Sequence, residues 1–180
     1  MRASNFLIDT LKTEEGFSAT AYPDSTGFSI GYGTFIDKPE EQYLLEESIT
    51  KEKAHALLVL DVADRIKFIE QRIKIPLNQN QIDALVLLLY NAGPYAITGG
   101  SLDEKINAEN WEAVKETWAA YNKSRNRQTG VLEVNPVLVE RRKREIDLFF
   151  KDFNKPSGTA KGISAAGVIL LIGVLFLIFK

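Results

Sequence analysis

A chain of 180 residues, 45% hydrophobic and 26% charged, fits one ordinary domain with a packed core, or one domain with an appendage, and excludes wholesale disorder. Lys plus Arg is 22 and Asp plus Glu is 24, a net charge of −2, so no polybasic footprint points to a nucleic acid partner. With no cysteine and the single histidine His55, disulfides, thiolate metal sites and histidine-rich metal sites are excluded, and carboxylates and hydroxyls are left to carry chemistry.

In chain order, the first predicted element is a helix with Ser4 as its N-cap. Phe6, Leu7, Ile8 and Leu11 form its apolar stripe and Gly16 stops it. Residues 20–34 (TAYPDSTGFSIGYGT) switch to a period of two: Phe28, Ile30 and Tyr32 alternate with Ser29, Gly31 and Gly33, after turn residues Pro23-Asp24 and Thr26-Gly27. That pattern predicts a small β-hairpin among helices. From Lys51 to about Ile73, Leu58, Val62, Ile66, Ile69 and Ile73 recur at three- and four-residue steps, a long amphipathic helix. His55 falls on it as an exposed residue. Residues 78–91 (NQNQIDALVLLLYN) are apolar nearly all round, which predicts the central core helix, ended by Gly93-Pro94. Two further helices are predicted at about 110–121 and 137–153. Overall the reading is α+β and mainly helical.

The C-terminal segment reads differently. Residues 162–179 (GISAAGVILLIGVLFLIF) carry no charge between Lys161 and Lys180. At about 1.5 Å per residue the segment spans roughly 27 Å, near the thickness of a bilayer's hydrocarbon core. The expected organisation is therefore a domain over 1–153, a polar linker over 154–161 and a transmembrane helix over 162–179, with the lipid bilayer as a partner. The N-terminal charges are too closely spaced for a signal peptide.

Two carboxylates stand out. Residues 7, 8, 11 and 15 share one helical face, so Glu15 closes the apolar stripe while Glu14 is expected to face solvent. On position alone a solvated helix-end glutamate is the simpler reading of Glu15. An Asp in the Pro-Asp-Ser-Thr-Gly turn is by itself most simply structural, bonding its own backbone. Taken together, however, a helix-end acid, Asp24 across a tight hairpin and the hydroxyl of Ser29 are what glycosidic cleavage needs. One carboxyl protonates the leaving oxygen, and the other stabilises positive charge or activates water.

These residues also carry a resemblance. Glu15-Gly16, Asp24 and the run Gly27-Phe28-Ser29-Ile30-Gly31-Tyr32-Gly33 resemble the catalytic segment of the phage-type lysozymes (endolysins), glycoside hydrolase family 24. Residues 49–58 (ITKEKAHALL) are similar to the start of that family's interlobe helix, and residues 76–93 (PLNQNQIDALVLLLYNAG) to its central helix. Residues 100–107 and 139–149 match in kind and order, so the resemblance runs from about Glu15 to Phe149.

The resemblance implies a lysozyme-like two-lobe fold, with a small hairpin lobe joined by the long helix to a helical lobe. The implied substrate is peptidoglycan, cut between N-acetylmuramic acid and N-acetylglucosamine without metal or cofactor. Glu15 takes the place of the general acid and Asp24 that of the second carboxylate. Ser29 stands where the family usually has threonine, with four rather than five residues between it and Asp24. Thr34 stands where many relatives have histidine. Arg141 matches the arginine that pairs with the catalytic glutamate, whereas Arg142, Lys143 and Arg144 read as a solvated charged face. Two alternatives stand beside the hydrolase: a lytic transglycosylase on the same fold, and a non-catalytic, membrane-tethered cell-wall-binding protein.

The expected location follows from the span. Lys151, Lys155 and Lys161 precede it and only Lys180 follows, so the positive-inside tendency keeps the domain on the cytoplasmic side. Peptidoglycan lies on the other. A single-pass protein of a phage particle's internal membrane reconciles the two, with the host cytoplasmic membrane as the alternative.

Overall fold

The computed structural model describes residues 2–24, 27–36, 39–126 and 128–153. Helix α1 (Asn5–Glu15) begins where the Ser4 hydroxyl accepts the Leu7 N–H at 3.0 Å and buries Leu7, Ile8 and Leu11. It stops at Gly16, whose φ of +70° only glycine adopts without strain.

The predicted hairpin is present and gains a third strand. β1 (Ser18–Asp24), β2 (Gly27–Gly31) and β3 (Thr34–Phe35) form an antiparallel sheet in that order. A β-bulge between Ser18 and Tyr22 resets the register, so that Tyr22 pairs with Ser29 and Asp24 with Gly27. Asp24 thus ends a strand rather than sitting inside the turn.

A 3-10 helix (Pro39–Leu45) leads to α2 (Lys51–Arg72), capped by Thr50. Its stripe of Leu58, Val62, Ile66 and Ile69 is buried and His55 is exposed. The sheet lies directly on this helix. A Cβ added at Gly31 would stand 2.9 Å from the Cβ of Ala54, closer than two carbons can approach.

Helix α3 (Gln79–Ala92) starts with a capping box in which Asn78 and Gln81 satisfy each other's backbone donors. Every residue from Gln81 to Leu89 is buried, as expected of a core helix. Short helices α4 (Tyr95–Thr98) and α5 (Leu102–Asn107) follow, then α6 (Trp111–Ala119). A two-stranded hairpin of β4 (Lys123–Arg125) and β5 (Leu132–Val134) precedes α7 (Pro136–Phe150), which packs along α3. Trp118 and Phe149 are fully buried between α6 and α7, their rings edge to face at 5.4 Å.

The expected membrane location is corrected. Among the described residues no helix is long and apolar enough to cross a membrane. The longest, α2, has charges on most of its faces; α3 is apolar but has only 14 residues, about 21 Å at 1.5 Å per residue. The linker at 154–161 and the span at 162–179 lie outside the described residues, so neither the single-pass location nor the bilayer partner is retained.

Candidate active site

The end of α1 meets the β2–β3 turn and α7, while α2 and α3 line a cavity beside that turn. Glu15, the last residue of α1, reaches toward the β2–β3 turn and is held by α7. The Arg141 guanidinium donates from Nη2 to Glu15 Oε1 at 3.0 Å. The same nitrogen stands 2.8 Å from Glu14 Oε2, and Arg141 Nε stands 3.6 Å from Glu145 Oε1. One guanidinium, 12% exposed, is therefore shared among three carboxylates. Arg141 occupies Oε1 of Glu15 and leaves Oε2 toward the β2–β3 turn, where a Cβ added at Gly33 would lie 3.6 Å from it.

Glu14 departs from expectation. Instead of facing solvent it is mostly buried between Arg141 and Arg144, the latter donating to its Oε1 at 3.1 Å. Arg142 departs as well. It is 1% exposed, inside the helix interface, and pairs with Glu145 at 2.7 Å. Trp118 Nε1 donates to the other oxygen of Glu145 at 2.9 Å. The surrounding bonds make the burial tolerable: Arg142 also donates to the Asn91 side chain and the Tyr121 carbonyl. Lys143 is exposed and Arg144 largely so, as a solvated face requires.

Across the sheet, Ser29 Oγ donates to Asp24 Oδ2 at 2.8 Å. The strand register brings the two together despite the short loop between them. Asp24 and Ser29 are on adjacent strands, two pairs apart and so on the same face, and Ser29 is 0% exposed on the middle strand. Asp24 itself is exposed to the cleft. Tyr22, two residues earlier on the same face of β1, sits among these groups. Burial pushes its phenol up, and the negative charges of Asp24 and Glu15 push it further, while a hydrogen bond with Ser29 opposes them. Tyr22 thus feels both carboxylates at once. Tyr22 was not singled out in the sequence; its i, i+2 step from Asp24 is the signal that could have found it.

Thr34 is buried, 5% exposed. It lines a cavity of about 370 Å³ with Phe35, Asp61, Arg65, Phe68 and Tyr90, and its hydroxyl has no hydrogen-bond partner among the described residues. Asp61, Arg65 and Tyr90 were not singled out in the sequence. Tyr90 lay within an apolar run, and Asp61 and Arg65 read as the charged side of an amphipathic helix.

Comparison with known proteins shows the family. Residues 12–145 match the family model "Phage lysozyme". The chain is 33% identical over 150 residues to the endolysin of Salmonella phage P22, covering 83% of this chain and 98% of that protein. The solved endolysin from Escherichia coli O157:H7 phage FAHEc1 superposes with a TM-score of 0.69 at 32% identity, covering 87% of this chain and 98% of the other. The muramidase domain of SpmX from Asticaccaulis excentricus gives 0.68 at 26% identity, covering 83% and 98%. The chain belongs to the phage lysozyme family, and it is a glycoside hydrolase of the muramidase class.

Proposed function

We propose that this chain hydrolyses the β-1,4 bond between N-acetylmuramic acid and N-acetylglucosamine in peptidoglycan, as a member of glycoside hydrolase family 24. The observation that carries the reading is the presence of two differently held carboxyl groups whose charges both reach Tyr22. Glu15 is tied to Arg141 through Oε1, and Asp24 to Ser29 through Oδ2.

Two such groups can divide the work of glycosidic cleavage. With Oε1 engaged, the acidic proton of Glu15 resides on Oε2, which faces the cleft and passes it to the leaving oxygen as the bond breaks. Asp24 remains an acceptor. It faces the positive charge that grows on the sugar ring, and its free oxygen takes a proton from the attacking water. The Ser29 hydroxyl, donating to Asp24, fixes the carboxylate plane. Asp24 then releases the proton it took from water and Glu15 takes one up, so both carboxyl groups return to their starting forms by exchange with solvent.

A transglycosylase would instead use the muramic 6-hydroxyl as nucleophile. The fixed Asp24–Ser29 pair favours water. Digestion of purified peptidoglycan by the full chain, followed by mass spectrometry of the products, tests this. Reducing muramic ends support hydrolysis, and anhydromuropeptides would mark the transglycosylase.

A further inference from the structure

The turn that faces Glu15 is held by a row of side chains from the two long helices. Asp61 Oδ1 accepts from Arg65 Nη1 at 3.0 Å, one turn apart on α2. The Arg65 guanidinium lies over the ring of Tyr90 on α3, 4.3 Å from its centroid, within the range of a cation–π contact. The Tyr90 hydroxyl then donates to the backbone carbonyl of Tyr32 at 2.7 Å.

The next residue, Gly33, has a φ of +85°, and a Cβ there would stand 3.3 Å from Tyr90 Cε1 and 3.6 Å from Glu15 Oε2. The turn is thus sandwiched between the Tyr90 ring and the carboxyl oxygen that faces the cleft. Burial, reinforced by the nearby Asp61 charge, pushes the Tyr90 phenol well above its ordinary value, so it stays a donor throughout the range where the enzyme works.

We infer that Tyr90, braced by Arg65 and Asp61, is a positioning residue that clamps the Tyr32–Gly33 turn against Glu15 and so sets where the acidic oxygen points. The inference rests on the proposed role of Glu15. A clamp of this kind acts on the orientation of the acid during bond breaking, so its loss lowers kcat and leaves substrate binding alone.

Tyr90→Phe keeps the ring and removes only the hydroxyl that holds the Tyr32 carbonyl. With a soluble peptidoglycan fragment as substrate, kcat falls roughly three- to tenfold, the scale of one lost hydrogen bond, while KM stays within about twofold. Arg65→Gln, which uncovers the ring, gives a smaller fall in the same direction, with the melting temperature recorded alongside. If Tyr90→Phe has wild-type kcat, or changes KM alone, or lowers only the melting temperature, the clamp is overturned. Glu15→Gln measured in parallel separates the two ideas. If that variant is inactive while Tyr90→Phe is unaffected, only the clamp fails; if it stays active, the assignment of the acid fails and the clamp with it.

Discussion

Arg141 Nη2 stands 3.0 Å from Glu15 Oε1 and 2.8 Å from Glu14 Oε2, so a single guanidinium ties the end of the first helix to the last. The fork geometry matters as much as the charge, because Nη2 serves Glu14 and Glu15 while Nε stands 3.6 Å from Glu145, a spread that one ammonium nitrogen cannot cover. Arg141→Lys is therefore expected to keep most of the stability and to lower kcat about ten- to hundredfold through a misaligned Glu15. Steady-state kinetics and a thermal melt of the same preparation check both halves.

Ser29 and Asp24 form the second pair. Ser29→Ala removes the hydroxyl that fixes the Asp24 carboxylate and leaves one of its oxygens without a protein donor. Activity is expected to fall about tenfold or more, whereas Ser29→Thr retains much of it because the hydroxyl remains and the β-branch narrows its rotamers. The ratio of the two variants' kcat is the measurement, and equal values would assign Ser29 to the strand alone.

Stability carries its own test at Asp83, which joins α3 to the N-terminus. Its carboxylate accepts from the Ser4 hydroxyl at 2.5 Å and from Gln79 at 2.8 Å, while burial pushes its pKa above the ordinary 3.8. A carboxyl with a raised value in the folded state contributes most below the unfolded value and loses that contribution as pH rises through the folded one. Asp83→Asn removes this titration. The variant should gain on the wild type as pH rises from about 3.5 to 7, which paired melting temperatures at the two ends will show.

Much of this arrangement is legible in the sequence, and the parts that are not have identifiable reasons. Ser4, Gly16 and the Asn78–Gln81 capping box act within a few residues of themselves, so the ends of α1 and α3 can be read directly. Glu15 and Asp24 stand out only in combination and through the family resemblance, since each alone reads as structural and Asp24 is expected in the turn rather than at the end of β1. The charges from Arg141 to Arg144 look alike in sequence. Which of them turns inward depends on Glu145, Trp118 and Asn91, and only the first is near in the chain. The β4–β5 hairpin is equally hard to see. Its strands have three residues each and largely exposed side chains, so no alternation marks them. The role of Tyr90 depends on Tyr32 and Gly33, 58 and 57 positions away, and a local pattern cannot show it.

The central claim is that Glu15 is the acid, and Glu15→Gln tests it most directly. The amide keeps the size of the side chain and an oxygen for Arg141 but cannot supply the proton to the leaving group. Clearing of outer-membrane-permeabilised cells by the full chain, with circular dichroism to establish that the variant is folded, is the measurement. A loss of about a hundredfold to ten-thousandfold is predicted, the range that general acid catalysis supplies. A folded Glu15→Gln protein that keeps more than roughly a third of wild-type activity would contradict the account, since the remaining rate far exceeds what an enzyme without its acid can reach, and would pass the role to Glu14.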